Sequence, residues 1–438
     1  MVGINARGQR RSNRSTVLRT LLYHGPLART AIAQLTGLSG ASISRIVDEL
    51  LDDGLLRSEE DGDTGASAAR GRPRTPLDLN TEGKFVLSMH VGVHLVLLGV
   101  HDLRGRLVAS RTVQPEAELE PSVMMETLFA EAGRLGRETI PLDASILGVG
   151  VGVGGWLDRS GEVHEHPTLV KSLSIADVGA SLGYGPVYVD SLMHGMALAE
   201  SWFGRFAGSG SLAILHVGNF VGSAVVTDAV NGRDRAIIEG SLGHLRRPGS
   251  TRPCPCGRHG CFWAEISDDA VADRARSVVR GQVGPTAGAT EAIQIIADLA
   301  RQGNQRAHDI LFERAEGIGD AAAVLLAVAD VDRVLLTGAS IASQADLMVP
   351  LVQARLDVVG PRTATVEHTS FGLNAVLTSA AALVLRRIFS PSEELMPGHR
   401  EAEESVFSNS PGRNGRQAID QSGDQTTRRS EHHPARGA

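Results

Sequence analysis

Apolar positions recur at helical spacing close to the start of the chain, where Val17, Leu18, Leu21 and Leu22 predict a helix over 15–23. His24-Gly25-Pro26 breaks it, and Ile32, Ala33 and Leu35 mark a second short helix over 30–35. Thr36-Gly37-Leu38-Ser39 then reads as a tight turn, with Gly37 suited to positive φ and Ser39 placed to cap a third helix. That helix runs to Asp52 and places Ile43, Ile46, Val47, Leu50 and Leu51 on one face. Two short helices joined by a glycine turn make a helix-turn-helix, whose second helix enters the major groove. Leu55-Leu56 then opens a strand, and Pro76 to Leu79 forms its return partner. Between them lie a Gly/Ala/Ser/Asp-rich loop over 61–69 and the basic tip Arg70-Gly71-Arg72-Pro73-Arg74, the signature of a wing.

After Gly83 the pattern changes to apolar strands alternating with helices. Strands over 85–89, 95–100 and 107–112 form a meander, followed by a helix over 121–135 and a glycine-rich apolar strand over 146–153. A short strand over 187–189 leads into a helix through Met196 to Trp202. Strands over 212–216 and 223–227 open a second unit, and the strand over 334–336 ends in the glycine turn Thr337-Gly338-Ala339-Ser340. This alternation predicts an α/β class with partly parallel sheets, arranged in two lobes with a cleft between them. The expected boundaries are a winged helix-turn-helix with a basic arm over 1–82, a first lobe over 83–200 and a second over 201–389. The last helix is expected to return to the first lobe. The segment 390–438 is nearly free of apolar residues and is expected to be disordered, with His432 and His433 solvated.

Charge changes the picture most at the N-terminus. The net charge of −7 argues against polyanion binding by the whole molecule, yet residues 1–45 hold seven arginines and no Asp or Glu. A basic segment coinciding with a helix-turn-helix is the electrostatic footprint of a DNA-reading module. Ser39, Ser42, Ser44 and Arg45 near the start of the third helix are the candidate base or phosphate contacts. Arg11, Arg14 and Arg29, with Arg72 and Arg74 of the wing, are the candidate phosphate contacts. The expected partner is double-stranded DNA carrying a palindromic operator, read by a homodimer or homotetramer.

The three cysteines fall within eight residues, which excludes a disulfide framework and suits a reducing, cytoplasmic setting. No uninterrupted apolar run reaches the ~18–20 residues of a membrane span, and no membrane partner is expected. The run Cys254-Pro255-Cys256-Gly257-Arg258-His259-Gly260-Cys261 lets three thiols share one soft ion, with glycines allowing the backbone to fold around it. His244, ten residues before Cys254, completes a Cys₃His set of the kind that holds structural zinc. His259 competes for the fourth place but sits inside the tight loop and would strain it.

A winged helix followed by a two-lobed α/β body with this cysteine spacing resembles the ROK family of repressors, open reading frames and sugar kinases. The resemblance spans Asn13 to Phe389 and rests on Thr36-Gly37-Leu38-Ser39, Gly71-Arg72-Pro73, Gly243-His244 and the cysteine cluster. It implies a sugar-kinase/actin-like body, a structural zinc at the matched ligands, and an oligomeric repressor tuned by a small molecule, often a sugar. The departures from the family's kinases are specific. Their Asp-x-Gly-x-Thr hairpin reads His90-Val91-Gly92-Val93-His94, and their glycine-rich second phosphate loop reads Gly218-Asn219-Phe220-Val221-Gly222. Their Asn-Asp-Ala-Asn stretch becomes Ser191-Leu192-Met193-His194, which puts Leu192 where the general base belongs. Their sugar-binding glutamates become Ser241 and Trp263. Asp190, His194 and Trp263 are left as the candidate lining of an altered ligand cleft. The expectation is a regulator without catalysis; a ligand-independent scaffold and a bifunctional kinase are the competing readings.

Overall fold

The computed structural model describes residues 6–58, 75–92, 95–114, 119–154, 156–157, 163–164, 174–208, 210–227, 236–276, 278 and 288–390. Arg72 and Arg74, and the segment from 391 onward, lie outside them.

The N-terminal head comprises α1 (Ala6–His24), α2 (Arg29–Thr36) and α3 (Gly40–Asp52) with the antiparallel pair β1 (Leu56–Ser58) and β2 (Leu77–Leu79). Gly37 ends α2 at φ 70°, and the Ser39 side chain accepts the Ser42 N–H to cap α3. Ile32, Ile43, Ile46, Val47 and Leu50 are buried together, whereas Leu35 is 54% exposed. α1 starts upstream of the periodic stretch that the apolar pattern marks. Its added turns carry Arg10 and Arg14, which pair with Glu49 and with Glu49 and Asp53 of α3, respectively. The basic arm is thus helical from Ala6.

The body is built on two five-stranded sheets of the same design. In the first, β3 (Lys84–Val91), β4 (Val96–Asp102) and β5 (Leu107–Val113) form an antiparallel meander followed by α4 (Pro121–Thr139). β6 (Ser145–Val153) adds parallel to β3. A small hairpin of β7 (Trp156–Leu157) and β8 (Val163–His164) and the helix α5 (Ile175–Ser181) follow. β9 (Val187–Ser191) pairs parallel to β6 and runs into α6 (Leu192–Phe203). The second sheet repeats the meander with β10 (Leu212–Val217), β11 (Val221–Val226) and β12 (Ile237–Gly240). Among the described residues four helices follow it: α7 (Phe262–Ile266), α8 (Asp268–Ala275), α9 (Ala289–Arg301) and α10 (Gln305–Val328). β13 (Arg333–Thr337), α11 (Ala339–Ala342), α12 (Ala345–Val359) and β14 (Thr365–His368) complete it, with β13 parallel to β10 and β14.

The last helix, α13 (Ala375–Phe389), returns to pack on β6, β3 and α6. Gly150 permits this, because a side chain there would run into the Ala380 carbonyl. The window Gly372–Phe389 has the length and mean hydropathy (1.3) of a membrane span, but 61% of it is buried inside the fold. Its far end also receives the head. Val17, Leu18 and Leu21 share one core with Val86, Leu103, Val384, Leu385 and Phe389. Arg104 bonds the Leu22 carbonyl at 3.0 Å and also pairs with Asp78, while the Ser15 hydroxyl donates to the Phe389 carbonyl. Head and body are therefore one packed unit at this junction. A cavity of about 460 Å³ opens here, between Leu22, Arg104, Trp202, Phe203 and Phe371.

Two histidines are buried in the sheets. His101 on β4 bonds the Ser88 hydroxyl at 3.0 Å, and His216 on β10 lies beside Phe220. Burial pushes each imidazole down to about 4, with the Gly105 carbonyl opposing the fall at His101. The folded values lie below the unfolded one, so between about pH 6.5 and 4 the unfolded chain binds more protons. Stability is full above that window and falls as pH drops through it, by up to about 3 kcal/mol per histidine. Thermal melts from pH 7.5 to 4.5 are expected to show this loss, with a shallower slope in His216→Leu. An unchanged slope in that variant would exclude His216 as a source.

Candidate functional site

The head presents the N-terminal end of α3 to solvent, with Ser39, Ser44 and Arg45 exposed and Ser42 half-buried. Ser39 is committed as the cap, its hydroxyl also meeting that of Ser42 at 3.0 Å. Arg45 projects from the same exposed surface, and Arg11 is exposed on α1. Arg14 and Arg29 sit differently from the simple phosphate contacts suggested by charge alone. Arg14 binds Asp53 at 2.5 Å and Glu49 at 3.5 Å, and Arg29 binds Asp48 at 2.8 Å and the Ser44 carbonyl at 3.1 Å. Exposed pairs of this kind add little stability. Here they link α1 and α2 to the acidic side chains of α3 and its end.

The cysteine loop leaves β12 and enters α7. His244, Cys254, Cys256 and Cys261 place one ligand atom each within 4.8 Å of all the others. Cys256 Sγ lies 3.7 Å from Cys261 Sγ, and Cys254 Sγ lies 3.7 Å from His244 Nδ1. A tetrahedron with ~2.3 Å zinc–sulfur bonds has a sulfur–sulfur edge of about 3.7–3.8 Å, so the donor set fits such an ion. His259 is not in this cluster; its backbone bridges to Pro253. Backbone and side-chain hydrogen bonds from Arg258 draw the exposed Cys256 thiol down to about 6. Burial pushes Cys254 up to about 11. The loop is strapped to the helices beneath it, with Arg247 on Asp320 at 2.7 Å and Arg252 on Glu265 at 3.0 Å.

At the kinase-like cleft, Leu192 is 2% exposed and packs with Met193, Ile214 and Leu335. Leu192, which the resemblance sets at the general-base position, therefore lies in apolar core. In the second phosphate loop the Gly218 N–H bonds the Phe220 carbonyl at 3.0 Å, and the Phe220 ring packs against that same core. Trp263 is half-buried, and its indole N–H donates to the Asn219 carbonyl at 2.8 Å. It thus braces the phosphate loop and packs beside the cysteine cluster. Val93 and His94 of the first hairpin lie outside the described residues.

Asp190 and His194 are brought together, and with them a residue that the sequence reading missed, Glu239. His194 Nδ1 lies 3.1 Å from Glu239 Oε1, and the Ser191 hydroxyl donates to the same carboxylate. Burial raises the Asp190 carboxyl to about 6, with His194 opposing and Glu239 reinforcing the rise. Burial also acts on Glu239, but the bonds from His194 and Ser191 outweigh it and hold that carboxyl below its usual value. The local sequence gives no signal for Glu239, because only the edge position of β12 carries it across to the start of α6. Glu200 of the Ala-Leu-Ala-Glu helix is buried and bonded to Thr369 and Ser370, so it ties α6 to the segment that precedes α13.

Comparison with known proteins agrees with this geometry. The ROK family model matches residues 86–387, and a MarR family model matches residues 11–66 of the head. A transcriptional regulator of Mycobacterium tuberculosis is 32% identical over 386 residues, covering 84% of each chain. The DNA-binding transcriptional repressor Mlc of Escherichia coli is 23% identical over 383 residues, covering 85% of this chain and 92% of that one. Among solved structures, a ROK family transcriptional regulator homologous to that repressor aligns with a TM-score of 0.69 at 21% identity, over 87% of this chain and 97% of its own. A ROK glucokinase of Streptomyces griseus aligns with a TM-score of 0.57 at 21% identity, over 68% of this chain and 98% of its own. With the family match covering most of the chain and a helix-turn-helix head packed onto it, this protein belongs to the ROK family.

Proposed function

We propose that the chain is a DNA-binding transcriptional repressor whose kinase-like body senses and oligomerises without catalysing phosphoryl transfer. The observation that carries this reading is the pairing of an intact DNA-reading head with a buried Leu192 at the catalytic-base position. Leucine accepts no proton from a sugar hydroxyl, and the loop that would cradle phosphate is filled by Phe220. The relatives named as regulators and repressors point the same way.

In this reading residues 1–82 form the DNA-binding domain, 83–200 and 201–389 the two lobes, and α13 the element that joins the second lobe back to the first. Two heads of a homodimer or homotetramer read the halves of a palindromic operator, with Ser42, Ser44 and Arg45 facing base edges and phosphates. His244, Cys254, Cys256 and Cys261 hold a structural zinc, since four protein ligands leave no position for an activated water. The altered cleft takes a small effector. Its occupancy reaches the DNA through α13 and the core that α13 shares with α1.

Footprinting with the full chain tests the reading, paired with an ATP-dependent phosphorylation assay over a panel of sugars. Protection of two symmetric half-sites with no turnover is the expected result. Protection of a single half-site would remove the symmetric assembly, and turnover abolished by Asp190→Asn would restore a kinase.

A further inference from the structure

The cleft holds a cluster that neither a sugar kinase nor a plain repressor needs. Asp190 ends β9 and His194 lies in the first turn of α6, both in the first half of the body, whereas Glu239 lies on β12 of the second sheet. One donor atom from each lies within 4.8 Å of the other two. Asp190 Oδ1 accepts the Ser191 N–H at 2.7 Å, yet Asp190 Oδ2 is buried with no partner. A carboxylate oxygen left unpaired and shielded from water in this cluster is an unfavourable arrangement unless something binds it.

The geometry points to a metal site formed by Asp190, His194 and Glu239 that takes a borderline divalent transition ion such as Zn²⁺ and fastens the first sheet to the second. The 3.1 Å separation of His194 Nδ1 and Glu239 Oε1 is close to the roughly 3.3 Å edge of a tetrahedron with ~2.0 Å bonds. An imidazole among the donors selects this class over Mg²⁺ or Ca²⁺, which favour all-oxygen shells of six or more. Two carboxylates supply the opposing charge, and Arg386, whose charge acts on Asp190, offsets only part of it. Glu239 keeps a side-chain exposure of 35%, which gives an ion a way in. Three protein donors also leave one position open for water or an anionic ligand. The site differs from the cysteine quartet in every ligand and in linking the two halves of the body rather than closing one loop.

This inference rests on reading the cleft as a sensing site, and its test is run without DNA so that the two can fail separately. Full-length protein is equilibrated with Zn²⁺ and its bound metal counted, and a parallel Co²⁺ titration separates the sites by colour. Thiolate-bound Co²⁺ gives an intense charge-transfer band, and the Asp/His/Glu site gives only weak ligand-field bands. The expected result is two ions per chain. Asp190→Asn and Glu239→Gln should each retain the thiolate-bound ion and weaken the other by more than about a hundredfold, beyond the cost of losing an outer-sphere partner. Hydrogen exchange should slow at β12 and the start of α6 when the second ion binds. A wild-type count of one with only the thiolate band, or a second ion that survives both substitutions, would overturn the proposal. Operator affinity measured separately on the same proteins reports on the repressor reading alone.

Discussion

Cys256→Ser is expected to release the ion held by the cysteine loop and to lower the melting temperature by on the order of 10 °C. Cys256 is exposed, so serine there disturbs no packing and the loss reports the metal. Structural zinc in small peptides contributes roughly 10–16 kcal/mol of binding free energy. Only part of that is at stake here, because Arg247 and Arg252 already strap the loop to Asp320, Glu265 and Glu313. A loss of several kcal/mol corresponds to about 2–4 °C for each kcal/mol in a chain of 150–250 residues, and to less in a longer one. His259→Ala is the control and should keep its ion. Metal retained in the cysteine variant, or lost from the histidine variant, would show that the ligand set is wrong.

Arg45→Ala is expected to weaken operator binding by about 1–3 kcal/mol, roughly 5- to 150-fold, if the side chain reads a base. If it contacts phosphate instead, binding should weaken uniformly across sequences and the salt slope should fall by about one. Arg14→Ala should behave in another way. Its guanidinium already serves Glu49 and Asp53, so its loss should loosen α3 while leaving the salt slope nearly unchanged. Binding curves at several salt concentrations, read beside melting curves, separate the two roles. Equal salt effects from both arginines would mean that Arg14 leaves its acidic partners when DNA arrives.

The parts of the site legible in the residue pattern are those set by short-range chemistry. Gly37 and Ser39 announce a turn and a cap within four residues, and the structure places both as expected. The three cysteines fall within eight residues of one another, and His244, ten residues before the first, comes within reach of all three. The alternating body was legible too, since parallel strands and their covering helices carry distinct periods.

Pairings between distant segments lie beyond that reach. A tally of seven arginines before the first acidic residue treats them alike, yet α3 folds back so that Asp48, Glu49 and Asp53 meet Arg29, Arg10 and Arg14. Glu239 reads locally as an unremarked residue in a short strand. Its meaning comes from the β11–β12 pairing, which lays it against the start of α6. The docking of α1 onto α13 has no local signature either, because each helix shows only an apolar face and not the face it will meet. Helix starts, turns and the metal loop follow from forces acting over a few residues along the chain. Which charges are spent, which polar atoms stay unpaired and which helix receives the head depend on contacts hundreds of residues apart, and these exist only once the core has closed.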